Sequence, residues 1–334
     1  MSDRPTIRDV ALRAGVSIAT VSRALNEKAD VSLATRERVR AAAQSLGYAA
    51  DPAARALGSQ QTRLVAVVVG DNAGPRDLSL IFFGKVMAAA SRRLGQDDYE
   101  PVLRQPDDVD LHHRFDAAIL IGIDDDDPLV ASLAERGVPL VGVDVRCEAP
   151  RSAYVGSDHR EGVRLALAHL HALGHRRIAH IAGAQNTVAG RDRLEAFHDE
   201  GAQLGLDPPD SYVPVGDFSS TSGYRATVAL LALDLPPTAI VAASDLMALA
   251  ALQAIWDSGL RPGTDVAVVG FDDLEAAEVA HPPLSTIRQD REALGTLAAA
   301  RALDLIERRA AKPAETVVPV ELVVRASSVR ATGP

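Results

Sequence analysis

One cysteine, Cys147, stands in 334 residues. A lone thiol excludes a disulfide within the chain and fits a reducing compartment, which points to the cytoplasm. Aromatic residues are scarce at 4%, too few for a stacking platform along single-stranded nucleic acid. No apolar run approaches the ~18 residues that a membrane span needs. Arg4, Arg8 and Asp9 interrupt the N-terminal stretch where a secretory signal would be apolar. Catalytic motifs are missing too: there is no GxxxxGK(S/T), GxGxxG, GxSxG or HExxH, so catalysis has no foothold. The run Asp124 to Asp127 lacks the glycine and spacing of a calcium loop. His169, His171, His175 and His180 invite a metal reading, since His171 and His175 have the spacing of helix-borne zinc ligands. Gly174 ends that helix between them, so no metal and no cofactor is expected.

What is present is a long, 47% hydrophobic chain, enough for two or three domains. The net charge of −10 argues at first against DNA binding. Its distribution argues otherwise. Residues 1–60 carry nine Arg/Lys against six Asp/Glu, an excess of three, which leaves −13 on the rest. A mildly basic head on an acidic body suggests nucleic-acid contact by the head alone, with two heads acting together.

That head holds the densest pattern, TIRDVALRAGVSIATVSRALN at residues 6–26. Ile7, Val10 and Ala11 make one helical stripe, and Val21, Ala24 and Leu25 a second. Gly15 between them suits a turn with positive φ, and Ser17 can cap the second helix. Helix, short glycine turn, helix is the arrangement in which a second helix enters the DNA major groove. Ser32 can cap a third helix over residues 33–46, ended by Gly47.

The segment closely resembles the headpiece of the LacI family of bacterial transcription regulators, whose pattern T-x-x-D-V-A-x-x-A-G-V-S-x-x-T-V-S-R-x-L-N is filled here at every fixed position. The resemblance implies that Ile18 and Ala19 choose operator bases. Neither can hydrogen-bond a base edge, but both can touch thymine methyls. Arg23 can pair with guanine or hold a phosphate, while Thr20, Ser22 and Asn26 fix register on the backbone. Thr6 and Ser17 complete the DNA-binding set on the headpiece. Beyond it, YAADPAARALGSQQT matches the family's hinge helix, too short to be stable alone in water, which orders on operator DNA. There Arg55 and Leu57 would meet the DNA, the leucine as a minor-groove wedge. The family's usual Pro-Asn is Ala50-Asp51 in this chain.

From Arg63 onward, short β-branched runs (64–69, 117–122, 139–144, 177–183, 239–244, 266–272) alternate with Ala-rich helical stretches. This is the alternation of a doubly wound parallel α/β architecture. The expected fold is an all-α helix-turn-helix headpiece followed by a two-lobed, periplasmic-binding-protein-like core of two doubly wound parallel sheets. Residues 1–48 form the headpiece, 49–62 the hinge and 63–334 the core. Lobe 1 takes about 63–156 and 287–317, and lobe 2 about 158–285 and 318–330. A helix over 290–309 and one last strand, VPVELVV, return to the lobes. Two departures from the family stand out: DNAGPR (71–76) looks inserted, and the stretch around 105–115 is shortened, leaving one flank of the first sheet thinly covered.

In such a core, ligand contacts lie at the carboxyl ends of strands, facing the cleft. Asp144, Arg193, Ser244, Asp272 and Gln289 occupy positions that resemble the family's effector contacts, and Phe218 could stack on a sugar face. Carboxylates and an arginine suit the paired hydroxyls of a sugar or nucleoside. Ser244 replaces the family's usual asparagine. Asp273 reads as a cap or structural partner. The resemblance implies a homodimeric repressor, not an enzyme, which binds a pseudo-palindromic operator and is switched by a small polar effector such as a sugar or polyol. Its place is the cytoplasm, on the nucleoid and away from membranes. A regulator of the same fold controlled by a protein partner, and a solute-binding protein that binds no DNA, are the alternatives.

Overall fold

A computed structural model describes residues 5–25, 31–48, 61–70, 76–108, 114–124, 126–308 and 314–328, the side chains of 76–81 excepted. The chain divides into two compact units, Met1–Thr62 and Arg63–Pro334.

The first unit is a three-helix bundle of α1 (Ile7–Ala14), α2 (Ile18–Leu25) and α3 (Leu33–Leu46). Each helix starts on a side-chain cap. The Asp9 carboxylate accepts from both the backbone N–H and the hydroxyl of Thr6, each at 2.7 Å. Ser17 Oγ accepts from Thr20 N at 3.1 Å, and Ser32 Oγ from Thr35 N at 3.3 Å. Such caps satisfy N–H groups that have no partner inside the helix. Gly15 ends α1 at φ +64°, a left-handed conformation that a side chain would disfavour. The stripes close on each other, and Val10, Val21, Ala24 and Val39 are fully buried. Asn26 and the hinge residues Arg55 and Leu57 lie outside the described residues, as do most of the expected hinge and of the 71–76 insertion.

The second unit holds two sheets. The first has the order β10-β5-β4-β3-β1-β2, every pair parallel: β1 (Leu64–Val69), β2 (Glu100–Arg104), β3 (Ala117–Ile121), β4 (Leu140–Val143), β5 (Ser152–Ser157) and β10 (Ala314–Val318). The second has the order β11-β9-β8-β7-β6: β6 (Ile178–Ile181), β7 (Ala239–Ala242), β8 (Ala267–Asp272), β9 (Ser285–Gln289) and β11 (Val320–Val323). A single bridge, Ala182 to Val215, flanks β6. In both sheets the strand order therefore reverses beside the first strand (β1 and β6), which opens a crevice at the carboxyl ends. Valine, isoleucine and leucine fill the strands because helices cover both faces.

Three expectations are corrected. Residues 285–289 belong to the second sheet, pairing with β8 and β11, so the return to lobe 1 begins at Asp290 rather than at 287. VPVELVV is not one strand. Pro319, with no N–H for a ladder, separates β10 in the first sheet from β11 in the second. The second sheet is not wholly parallel, since β11 runs antiparallel to β9 at its edge. In the shortened stretch, the described residues form one turn of 3₁₀ helix, Pro106–Asp108.

On the first sheet, α4 (Arg76–Gly95) lies against α11 (Arg291–Ile306), with Gly295 at the contact. A methyl group there would overlap the Val86 carbonyl and the Ala89 side chain. Gly295→Ala should therefore destabilise the core by ~1–3 kcal/mol, the usual penalty of overpacking. Urea unfolding measures this; an unchanged midpoint would mean that the two helices have room to part.

Candidate functional site

All six residues expected at the effector site line one cleft in the core. The two sheets supply four of them at or just beyond the ends of their strands. Asp144 follows β4 and Asp272 ends β8. Ser244 follows β7, and Gln289 ends β9. Arg193 comes from α7 (Val188–Gln203), and Phe218 from the loop after the Val215 bridge. The rest of the lining is mostly apolar, including Phe82, Phe83, Ile123, Val143 and Leu274. Spacing alone did not single out these lining residues, since in the sequence they read as ordinary core.

Arg193 is the centre of the polar network. Its guanidinium is buried and lies 3.7 Å from the centre of the Phe271 ring. It donates to the Ala243 carbonyl, and its Nε and Nη2 lie 3.3 and 3.2 Å from His159 Nδ1. His159 Nε2 lies 3.0 Å from Asp144 Oδ1, which also accepts from Ser157 N and Tyr154 Oη. Burial favours the protonated acid at Asp144, but His159, Arg193 and the Ser157 N–H outweigh it and hold the carboxyl below its ordinary range.

Asp272 Oδ1 accepts from Gln289 Nε2 at 2.7 Å, and Oδ2 accepts weakly from Asp245 N at 3.4 Å. The other face of Gln289 is unspent: its buried Oε1 has no partner. Asp245 is fully buried and accepts from Leu274 N and Thr286 Oγ1. Burial pushes Asp272 up to about 6 against the pull of Arg193, and burial with the Asp272 charge pushes Asp245 up to about 8. Three backbones here carry positive φ without glycine: Asp144 (52°), Phe218 (65°) and Asp272 (133°). The Phe218 ring lies over Gly183, where any side chain would collide with it.

Ser244 and Asp273 also have local tasks. Ser244 is spent on capping α9 (Asp245–Asp257), accepting from Met247 N at 3.3 Å. Asp273 pairs with Arg288 at 2.6 Å and Arg325 at 2.8 Å, a structural role. Three of the four histidines have partners of their own: His169 bonds Ser328, His175 bonds Thr238 and His180 bonds the Val241 carbonyl. His159, Tyr154 and Asp245 were missed. The signal for Asp245 was available, a carboxylate set directly after the serine that caps a helix following a strand.

In the headpiece, α2 exposes Ile18, Ala19 and Arg23, half-buries Thr20 and Ser22, and turns Val21 and Ala24 inward. An exposed isoleucine and an exposed arginine on one capped helix can read a methyl and a base edge. Thr6 and Ser17 are engaged in their caps.

Comparison with known proteins bears on both units. Residues 6–51 match "Bacterial regulatory proteins, lacI family", and residues 167–328 match "Periplasmic binding protein-like domain". The transcriptional regulator CelR of Thermobifida fusca is 37% identical, over 97% of this chain and 98% of its own. The lactose operon repressor of Escherichia coli K12 is 35% identical, over 97% and 91%. The chain belongs to the lacI family of bacterial regulatory proteins. It is a DNA-binding transcriptional regulator, not an enzyme. The solved lac repressor dimer bound to operator and the anti-inducer ONPF superposes with a TM-score of 0.82 at 35% identity, covering 98% of this chain and 100% of that one. The CelR–cellobiose complex gives 0.74 at 35%, covering 97% and 100%. Among the described residues, no helix of this regulator is long and apolar enough to cross a membrane.

The raised carboxyls carry a sign. In the folded protein the Asp245–Asp272 pair binds more protons than in the unfolded chain. Its contribution to stability is therefore full at acid pH and is lost as pH rises from about 4 to about 8. Asp272→Asn should shrink the fall in core stability between pH 5 and pH 8 by on the order of 1–3 kcal/mol. The side-chain oxygen left by Asp272→Asn can still accept from Gln289 Nε2. Calorimetry at the two pH values decides; a slope equal to that of the unmodified protein would count against the raised carboxyl.

Proposed function

We propose that this regulator is a homodimeric repressor that binds a pseudo-palindromic operator and is switched by a small polyhydroxylated ligand, a sugar or nucleoside-like molecule, in the core cleft. The observation that carries the reading is the convergence of Asp144, Arg193, Phe218, Ser244, Asp272 and Gln289, from both sheets, on one cleft. Carboxylates and a guanidinium beside an aromatic ring match vicinal hydroxyls and the apolar face of a sugar. The unpartnered Gln289 Oε1 would take a ligand hydroxyl, and a buried acceptor left unsatisfied costs ~1–3 kcal/mol. The cellobiose complex of CelR and the operator-bound lac repressor dimer support the same reading. Ligand in the cleft would draw the lobes together and alter the hinge; a coupling of ~1–3 kcal/mol suffices to switch DNA affinity. Arg55 and Leu57 act in that hinge, and Thr6, Ser17, Thr20, Ser22 and Asn26 hold the headpiece on the backbone while Ile18, Ala19 and Arg23 read bases. The site of action is nucleoid DNA in the cytoplasm.

A second reading, control by a protein partner, draws support from β2, an edge strand on which Leu103 is exposed. Calorimetric titration of a sugar and nucleoside panel separates the two, since binding of no compound would favour the partner.

Selection of bound sequences from random DNA should enrich a palindrome, and failure to enrich one would reject the operator claim. Arg23→Ala should weaken binding to the selected operator by ~1–3 kcal/mol in a mobility-shift titration. Replacing Ile18 and Ala19 together should change which half-site is enriched while leaving core stability alone.

A further inference from the structure

His159 stands at a junction. It is the first residue of α6 (His159–Ala172), directly after the chain leaves β5 of the first sheet for the second lobe. It is 2% exposed. One ring nitrogen faces each lobe. Nδ1 lies 3.3 and 3.2 Å from Arg193 Nε and Nη2, and Arg193 also donates to the carbonyl of Ala243, which follows β7 of the second sheet. Nε2 lies 3.0 Å from Oδ1 of Asp144, which follows β4 of the first sheet and also accepts from Tyr154 and Ser157.

The chemistry of these partners determines the ring's tautomer. A guanidinium can only donate, so Nδ1 must accept. The ring proton then sits on Nε2 and is donated to the carboxylate. The result is a directed chain from Arg193 through His159 to Asp144, running from one lobe to the other beneath the cleft. Phe271 and the Arg193 guanidinium close off the ring's surroundings, with the His159 and Phe271 ring centres 6.0 Å apart. In so buried a setting each link depends on the next, because an unpaired buried polar group is costly.

We infer that His159 is a positioning residue that ties the ligand-facing groups of the two lobes, Asp144 and Arg193, into one fixed geometry. This rests on the reading of the cleft as an effector site. His159 need not touch the ligand. It sets where the two groups that do touch it stand, so a movement of one lobe against the other is felt at both contacts.

Two variants of the full-length protein test this. His159→Leu keeps bulk but removes both links. His159→Gln restores an acceptor and a donor at a similar separation. With cellobiose, lactose and adenosine as calorimetric probes, the tightest binder should lose about tenfold in affinity with His159→Leu and recover to within about threefold with His159→Gln. Equal affinity in His159→Leu and the unmodified protein, or no recovery in His159→Gln, would overturn the inference. A readout without ligand runs alongside. In ¹⁵N-histidine spectra, the resonance lost in both variants should report the Nε2–H tautomer. Exchange of the Arg193 Nε proton should quicken in His159→Leu and slow again in His159→Gln. An Nδ1–H tautomer, or unchanged exchange, would sink the positioning role. If none of the probes binds while the tautomer and exchange results hold, the effector reading is what fails, and the interlobe chain stands.

Discussion

A guanidinium placed out of water must be compensated on every side, and the cleft is organised around that demand. Transferring a charge into a protein interior costs several kcal/mol unless partners meet it. Arg193 meets Phe271 on one face, the Ala243 carbonyl at one nitrogen, and His159 at two others. The charges of Asp144 and Asp272 favour its ionised form, against burial. These partners come from both sheets. Burying one arginine therefore requires the two lobes to present particular atoms to each other, and the strand ends are shaped to do so.

The shaping is visible in the backbone. Asp144, Phe218 and Asp272 all adopt positive φ, a conformation that costs of order 1–3 kcal/mol for residues with side chains. All three line the cleft. The neighbouring glycines answer to the same constraint: Gly156 leaves room for Asp144 and Tyr154, and Gly183 leaves room for Phe218. The acids compete as well. Burial and the Asp272 charge disfavour ionisation of Asp245, and burial raises Asp272, while Asp144, tied to His159, is held below its ordinary range. The cleft thus holds one carboxyl below the ordinary range, Asp144, and one above it, Asp272.

Much of the fold was legible where a single local rule governs. The glycine between two stripes in residues 6–26 demanded a turn, and Gly15 makes it in the left-handed region. Near-continuous valine runs such as 64–69 demanded strands covered on both faces, and β1 lies inside its sheet, paired on both sides by β2 and β3. What was misjudged depends on pairing. Ser285–Gln289 has no strong β pattern, and it becomes a strand because β8 and β11 flank it. VPVELVV reads as one strand until Pro319 falls at the step from one sheet to the other. Ser244 looked like a free hydroxyl at a strand end, yet the helix that begins at the next residue claims it as a cap.

The sequence by itself determined the helix-turn-helix and the strand–helix alternation, which follow from periodicity and capping chemistry and need no distant partner. The resemblance to the family pointed to five polar residues and Phe218 as effector contacts. Only the tertiary structure decided which of those residues face a shared space, and that His159 joins them. Asp144 and Arg193 are 49 positions apart along the chain. Their link exists because the first crossing between lobes carries a histidine whose two nitrogens face opposite ways, a relation that no local pattern contains. The same holds for the raised carboxyls, since burial is set by the packed lobes and not by the residues in their own segment.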